Sequence, residues 1–226
     1  MEVEDSELQG YDQAQKEMME ENCIVVDDND QIIGQESKVN CHLNEGKLHR
    51  AFSVLLFDSN NKLLIQQRAD EKITFPSIWA NSCCSHPLYQ NGEQDGIEGA
   101  KSAAIRKLTQ ELGIKMGKIR LEDLNFITKM HYKSRADEKW IEHEVDYIFV
   151  VKMDVQIEPN SNEIQRIKYV DKEELDNLFE MSNNGDVKIG PWFRLIRNHF
   201  LDKIWENMES LKDLEDQKVH HMGEVN

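Results

Sequence analysis

The chain has little proline, four residues in 226, and only eleven glycines. That scarcity excludes collagen-like and low-complexity polymers, which need these residues in bulk. It has no run of 18 apolar residues, so no segment is expected to cross a membrane as a helix. Positive charge is also short. Lys and Arg number 27 against 43 Asp and Glu, a formal net charge of −16 at pH 7. A surface of that sign does not wrap nucleic acid, although a few local cations suffice to hold a small anion. Cysteine is sparse, and Cys23, Cys41, Cys83 and Cys84 make no C-x-x-C pair, so a zinc ribbon is not expected. Adjacent Cys83 and Cys84 could join only through a strained vicinal link. The acidic start carries no secretory or transit pattern. Free thiols in a reducing compartment are therefore expected, the cytoplasm first and a peroxisome or nucleus otherwise.

What remains is a chain long for one domain and short for two. Residues 1–21 hold eight acidic side chains against one lysine and read as a solvated acidic tail. Residues 22–212 read as one α/β domain, and residues 213–226 as a second tail. Residues 23–27 form an expected strand closed by Asp28-Asn29-Asp30. Residues 52–57 and 63–67, joined by Asp58-Ser59-Asn60-Asn61, are expected to pair as a hairpin. Ala100, Ala104, Leu108 and Leu112 recur every fourth residue and predict a helix over 97–112, capped by Gly113. Strands are expected at 124–130, 143–151 and 167–170, followed by a helix opened by Asp171. A last helix is expected over 191–211, with Phe193, Ile196, Phe200 and Ile204 on one face.

Three constellations carry chemistry. Gly92, Glu98, Arg106, Glu111 and Gly113 stand in the pattern G-x5-E-x7-R-x4-E-x-G, and the spacing resembles a Nudix box. The full box has two more glutamates where this chain has Lys107 and Gln110. A full set of carboxylates holds Mg²⁺ on a diphosphate and activates water. Lys107 beside Glu111 suits holding a magnesium diphosphate without hydrolysing it, and is equally the pattern of a plain i,i+4 ion pair. The second constellation is His42, His49 and His86 with Glu142 and Glu144. The two carboxylates alternate on one strand and share a face, and imidazoles with carboxylates suit a divalent ion. The third is Cys84, two residues before His86, where a nearby cation or metal would lower the thiol pKa.

These residues, with Lys38–Leu43, Leu48–Ser53, Gln66-Gln67-Arg68, Thr74-Phe75-Pro76, Asn81–Pro87, Glu142–Tyr147 and Pro191-Trp192-Phe193, resemble the type I isopentenyl-diphosphate isomerases of the Nudix fold. The resemblance runs from about Cys23 to about Phe200. It implies a Nudix-like mixed β-sheet sandwiched between helices, with additions at both ends. It implies His42, His49, His86, Glu142 and Glu144 as ligands of one divalent ion, and Glu111 as a ligand of Mg²⁺ arriving with the diphosphate. Mn²⁺ or Zn²⁺ are alternatives in the His/Glu set. Cys84 and Glu144 match the catalytic pair, with Tyr132 beside Glu144 to relay or orient a proton. Lys38, Arg68, Lys72 and Lys107 match positions that grip the diphosphate, and Trp192 matches an indole facing the reacting carbons.

The implied reaction interconverts isopentenyl and dimethylallyl diphosphate in isoprenoid, including sterol, biosynthesis. One proton adds to the terminal alkene carbon, a tertiary carbocation forms, and another proton leaves C2. Such chemistry needs two acid–base groups. The chain is expected to act as a monomer on a small diphosphate, without nucleic acid or membrane. The competing reading is a Nudix pyrophosphohydrolase, against which Lys107 and Gln110 speak. A third is a non-catalytic metal-stabilised module, which would need neither the thiol nor the basic clamp.

Overall fold

A computed structural model of the chain describes residues 7–225; residues 1–6 and 226 of the two expected tails lie outside them. The elements are α1 (Gln13–Met19), β1 (Asn22–Val26), β2 (Ile32–Ser37), α2 (Lys38–His42), β3 (His49–Phe57), β4 (Leu63–Arg68), β5 (Trp79–Ala80), β6 (Cys83–Ser85), α3 (Gly96–Leu112), β7 (Asn125–Arg135), β8 (Ile141–Lys152), β9 (Ile164–Val170), α4 (Lys172–Asn183), α5 (Pro191–Ile196), α6 (Asp202–Glu206) and β10 (Val219–Val225).

The strands form one mixed sheet among the described residues, with the central order β10-β7-β8-β3-β1-β2. Every residue of β3 is buried, because both faces of this strand are covered. Phe52, Val54 and Leu56 face one core, where Ala100, Ala104, Leu108 and Leu112 of α3 pack. Leu55 and Phe57 face the other core, with Leu175 of α4 and Phe193 and Ile196 of α5. That period-2 split within a continuous apolar run is how a sheet buried on both sides reads in sequence. The expected sheet between helices is therefore present. Gly113 ends α3 at φ 63°, a left-handed position that glycine takes without strain.

Three expectations change in detail. β3 and β4 are joined, but their ladder has only the pair Phe57↔Leu63. β3 is flanked instead by β8, in parallel register, and by β6, while β4 turns to β9 and β5. The single long helix over 191–211 is divided. A π turn spans Arg197–Leu201 between α5 and α6, and the helical run ends at Glu206. The ends read as tails carry ordered elements: α1, with Gln15 and Met19 buried, and β10, paired parallel to β7. Polar composition hid both, because α1 buries few residues and β10 is an edge strand.

A candidate active site with a histidine–carboxylate cluster

The sheet register assembles the site. His49 of β3 stands beside Glu144 of β8 in the parallel ladder, and Tyr132 of β7 stands opposite Glu144 on its other side. Side chains directly across strands share a face and touch. Along β8 the same face carries Glu142, Glu144 and Asp146, then Ile148 and Val150 of the core. The site is thus the polar end of an otherwise apolar face. His143 points the opposite way and meets His131, Nε2 to Nε2 at 3.1 Å.

His42, His49, His86, Glu142 and Glu144 are all buried and present ligand atoms within 4.8 Å of one another. The three imidazole centroids lie 4.7 to 5.0 Å apart. Backbone carbonyls fix two of the rings. His42 Nδ1 donates to Lys38 O at 2.8 Å, and His49 Nδ1 donates to Lys47 O at 2.7 Å. Since a carbonyl only accepts, both protons sit on Nδ1 and both Nε2 lone pairs face the cluster, the arrangement that orients metal ligands. His42 Nε2 is 2.9 Å from Glu142 Oε2, yet that oxygen makes no hydrogen bond, and His49 Nε2, 3.8 Å from Glu144 Oε1, has no hydrogen-bond partner. Buried lone pairs facing buried carboxylates are costly unless a cation lies between them. The donor set therefore fits a divalent ion.

Electrostatics agree. Burial pushes the His49 imidazole down to about 3 and His86 well below its usual value, so both are neutral and able to ligate. Burial opposes ionisation of Glu142, but the surrounding imidazoles and the Glu144 carboxyl together outweigh it and hold the carboxyl well below the usual range. Glu144 goes the other way: burial and the charge of Glu142 raise it well above a normal carboxylic acid. Glu144 accepts a hydrogen bond from Tyr132 Oη at 2.6 Å and lies 2.8 Å from His86 Nε2.

The pocket beside this cluster is lined by Cys84, Arg68, Lys72, Lys38, Glu111 and Trp192, among others. Strand alternation separates the two cysteines. Cys83 is fully buried, with Sγ 3.5 Å from Glu111 Oε2, while Cys84 is half-buried and faces the pocket. Burial pushes the Cys84 thiol up to about 12, only partly offset by Arg68. The protein alone therefore does not produce the lowered pKa expected for it; Cys84 is a thiol that holds its proton. Arg68 is fixed by the carbonyls of Phe75 (3.0 Å) and Thr74 (2.8 Å), and its guanidinium lies 5.7 Å from the Trp192 ring centroid. Trp192 is anchored by donating Nε1–H to Asn81 Oδ1 at 2.9 Å. Lys107 does not line the pocket. It is buried behind Glu111, with Nζ 3.2 Å from Oε1.

Four contributors escaped the sequence reading. Asp146 accepts from Ser53 Oγ at 2.8 Å, and burial raises it to about 8. It continues the alternation of Glu142 and Glu144, a signal visible in the sequence. Glu163 pairs with Lys72 at 2.7 Å. Gln15 and Met19 of α1 close one wall of the pocket, and Gln15 also donates to Asn162 Oδ1 at 2.7 Å. Nothing in the polar N-terminal composition marks them.

The comparisons with known proteins agree with this geometry. The family model described as NUDIX domain matches residues 47–193. Isopentenyl-diphosphate Delta-isomerase 1 of Bos taurus is 49% identical over 218 residues, 93% of this chain and 96% of that protein. The isopentenyl-diphosphate delta-isomerase of Schizosaccharomyces pombe is 45% identical over 223 residues, 95% and 96% of the two chains. The chloroplastic isomerase I of Arabidopsis thaliana is 44% identical over 229 residues, 96% of this chain and 79% of that one. Among solved structures, DR0079 from Deinococcus radiodurans superposes with a TM-score of 0.58 at 17% identity, covering 80% of this chain and 99% of that one, which shows the fold. With a matching domain model, near-full-length relatives of one name and a sheet register that gathers the motif residues, the chain belongs to the isopentenyl-diphosphate delta-isomerase family of Nudix-domain proteins.

Proposed function

We propose that this chain interconverts isopentenyl diphosphate and dimethylallyl diphosphate in isoprenoid biosynthesis by protonation and deprotonation through a tertiary carbocation. The single observation that carries the reading is the pocket itself: a proton-holding thiol, Cys84, and the Tyr132–Glu144 pair line one cavity with an indole and a basic clamp. An unactivated alkene is a weak base, so the acid must stand in a dry pocket. Cys84 and Glu144 serve as the two acid–base groups, and Tyr132 donates toward Glu144 and orients it. Trp192 presents an indole to the cationic carbon, worth roughly 2 kcal/mol when desolvated. Arg68, Lys72 and Lys38 grip the diphosphate. Lys107 adds positive charge from behind Glu111.

His42, His49, His86, Glu142 and Glu144 would hold one divalent ion, and Glu111 a second, Mg²⁺, that arrives with the diphosphate. The three imidazoles favour Mn²⁺ or Zn²⁺ over Mg²⁺ in the first position. When bound, these ions neutralise carboxylate and diphosphate charge. A reducing compartment suits four free thiols, and the protein is proposed to work as a cytoplasmic monomer. No described helix is long and apolar enough to cross a membrane. The test is incubation with isopentenyl diphosphate and Mg²⁺. The expected product is the acid-labile allylic isomer, and recovery of unchanged substrate would reject the reading.

The box supplies little for hydrolysis. Lys107 occupies one missing acid position and pairs with Glu111, and Gln110 is exposed and turned toward Met18 Sδ at 3.7 Å. Phosphate release from nucleotide-sugar or dinucleotide esters should therefore be negligible. Turnover near the ordinary enzyme median of about 10 s⁻¹ in a phosphate-release assay would favour a pyrophosphohydrolase instead.

Lys72 gives a pH prediction. Burial lowers its ammonium to about 8, against the pull of Glu163. It is charged below that value and loses its proton above it. Pyrophosphate binding, followed by calorimetry, should weaken as pH rises through about 8. Lys72→Arg, which stays charged, should flatten that dependence.

A further inference from the structure

A second cavity, of about 300 Å³, lies away from the catalytic pocket and shares no lining residue with it. One wall is apolar: Ile127 of β7, Phe200 of the π turn, Ile204 of α6, Leu214, and Met222 of β10. Thr128, His199, Lys203, Asp216 and His220 complete its lining. The size lies at the lower end of small-molecule sites, about 300–1,000 Å³.

Two independent observations point to a ligand. Thr128 lines the cavity, is 2% exposed, and its hydroxyl has no hydrogen-bond partner. A buried hydroxyl is rarely left unpaired, and each such case calls for an explanation. The rim charge is the second. His220 Nε2 is committed to Asp216 Oδ2 at 2.8 Å, which pairs off the carboxylate. Lys203 is exposed and forms no ion pair among the described residues. The π turn adds a local reason for the shape. Inserted π turns inside α-helices recur at functional sites, and this one places His199 and Phe200 at the cavity.

We propose that this cavity is a binding site for one small amphiphilic anion, with its hydrocarbon body among Phe200, Ile204 and Met222 and its head on Lys203 and the Thr128 hydroxyl. An apolar wall with a single unpaired cation at its edge disfavours a plain inorganic anion, which would leave that wall unfilled. It equally disfavours an uncharged hydrocarbon, which would leave Lys203 and the Thr128 hydroxyl without a partner.

The test uses full-length protein labelled at the methionine methyl groups, with sodium octanoate as the probe. Met222 reports the second cavity and Met19 the catalytic pocket, assigned through Met222→Leu and Met19→Leu. Octanoate is expected to shift the Met222 methyl resonance saturably. 1-Octanol should bind about fivefold more weakly. Lys203→Glu should weaken octanoate about fivefold with an unchanged melting temperature, the upper end of what an exposed ion pair contributes. Thr128→Val, close in shape, should weaken it about fivefold, as loss of one hydrogen bond does. No saturable shift at Met222, equal affinity in Lys203→Glu, or equal binding of octanol would overturn the proposal. So would a Met222 shift produced by concentrating the protein alone, which would assign the cavity to a second copy of the chain.

Discussion

Replacing Cys84 by alanine is expected to lower isomerisation by about 10²–10⁴-fold, the usual contribution of one positioned acid–base group. Folding and metal content should change little, because Cys84 is half-buried at a pocket wall and lies outside the histidine–carboxylate cluster. Cys83→Ala is the control, and it should keep most activity. Cys83 is fully buried and packs in the core beneath α3, so its loss is expected to cost stability more than turnover. The thiol that holds its proton up to about 12 suits an acid that delivers a proton to carbon, and alanine has none to give. The comparison is read by steady-state kinetics beside a thermal melt. An inactive Cys83→Ala with an active Cys84→Ala would reverse the assignment.

Glu144→Gln is expected to lose turnover by several orders of magnitude, more than its loss of metal explains. Glu144 stands at the junction of two networks. It faces His86 at 2.8 Å and His49 at 3.8 Å, and it accepts the Tyr132 hydroxyl at 2.6 Å. A glutamine keeps the shape and a weak ligand oxygen but cannot take up a proton. Four of the five cluster residues remain, so a partial metal site should persist. Tyr132→Phe separates the two roles. It removes the donor to Glu144 and no ligand, so turnover should fall by about 10²-fold with full metal content. Elemental analysis of bound metal against turnover decides. If Glu144→Gln lost activity only in proportion to metal, with full rescue by excess ion, Glu144 would be a ligand and nothing more.

The sequence carried the site further than it carried the edges of the fold. Cys84, His86 and the Glu142/Glu144 pair were legible at short range, because Cys84 and the carboxylates stand on strands, β6 and β8, and His86 follows one residue past the end of β6. The helix α3 was legible from the fourfold repeat of Ala100, Ala104, Leu108 and Leu112, all buried. The partnership of β3 with β8 was not, since parallel pairing joins residues nearly a hundred positions apart, His49 with Glu144, and no local pattern encodes it. The expected hairpin is reduced to the one antiparallel pair Phe57↔Leu63 for the same reason: a turn brings β3 and β4 together, but long-range partners take their edges. Asp146 was missed although it continues the period of Glu144. Gln15 and Met19 were missed because α1 buries only those two residues, too few to raise an amphipathic pattern above an acidic background.

The most direct test of the account is turnover of isopentenyl diphosphate by the wild-type chain with Mg²⁺ in deuterated water, followed by mass spectrometry. Protonation at the terminal alkene carbon and loss of a proton from C2 place solvent deuterium in the dimethylallyl product, and reversal carries it into recovered isopentenyl diphosphate. Deuterium in both, disappearing together with isomerisation in Cys84→Ala and Glu144→Gln, is the predicted result. Release of phosphate without any deuterated allylic product would contradict it.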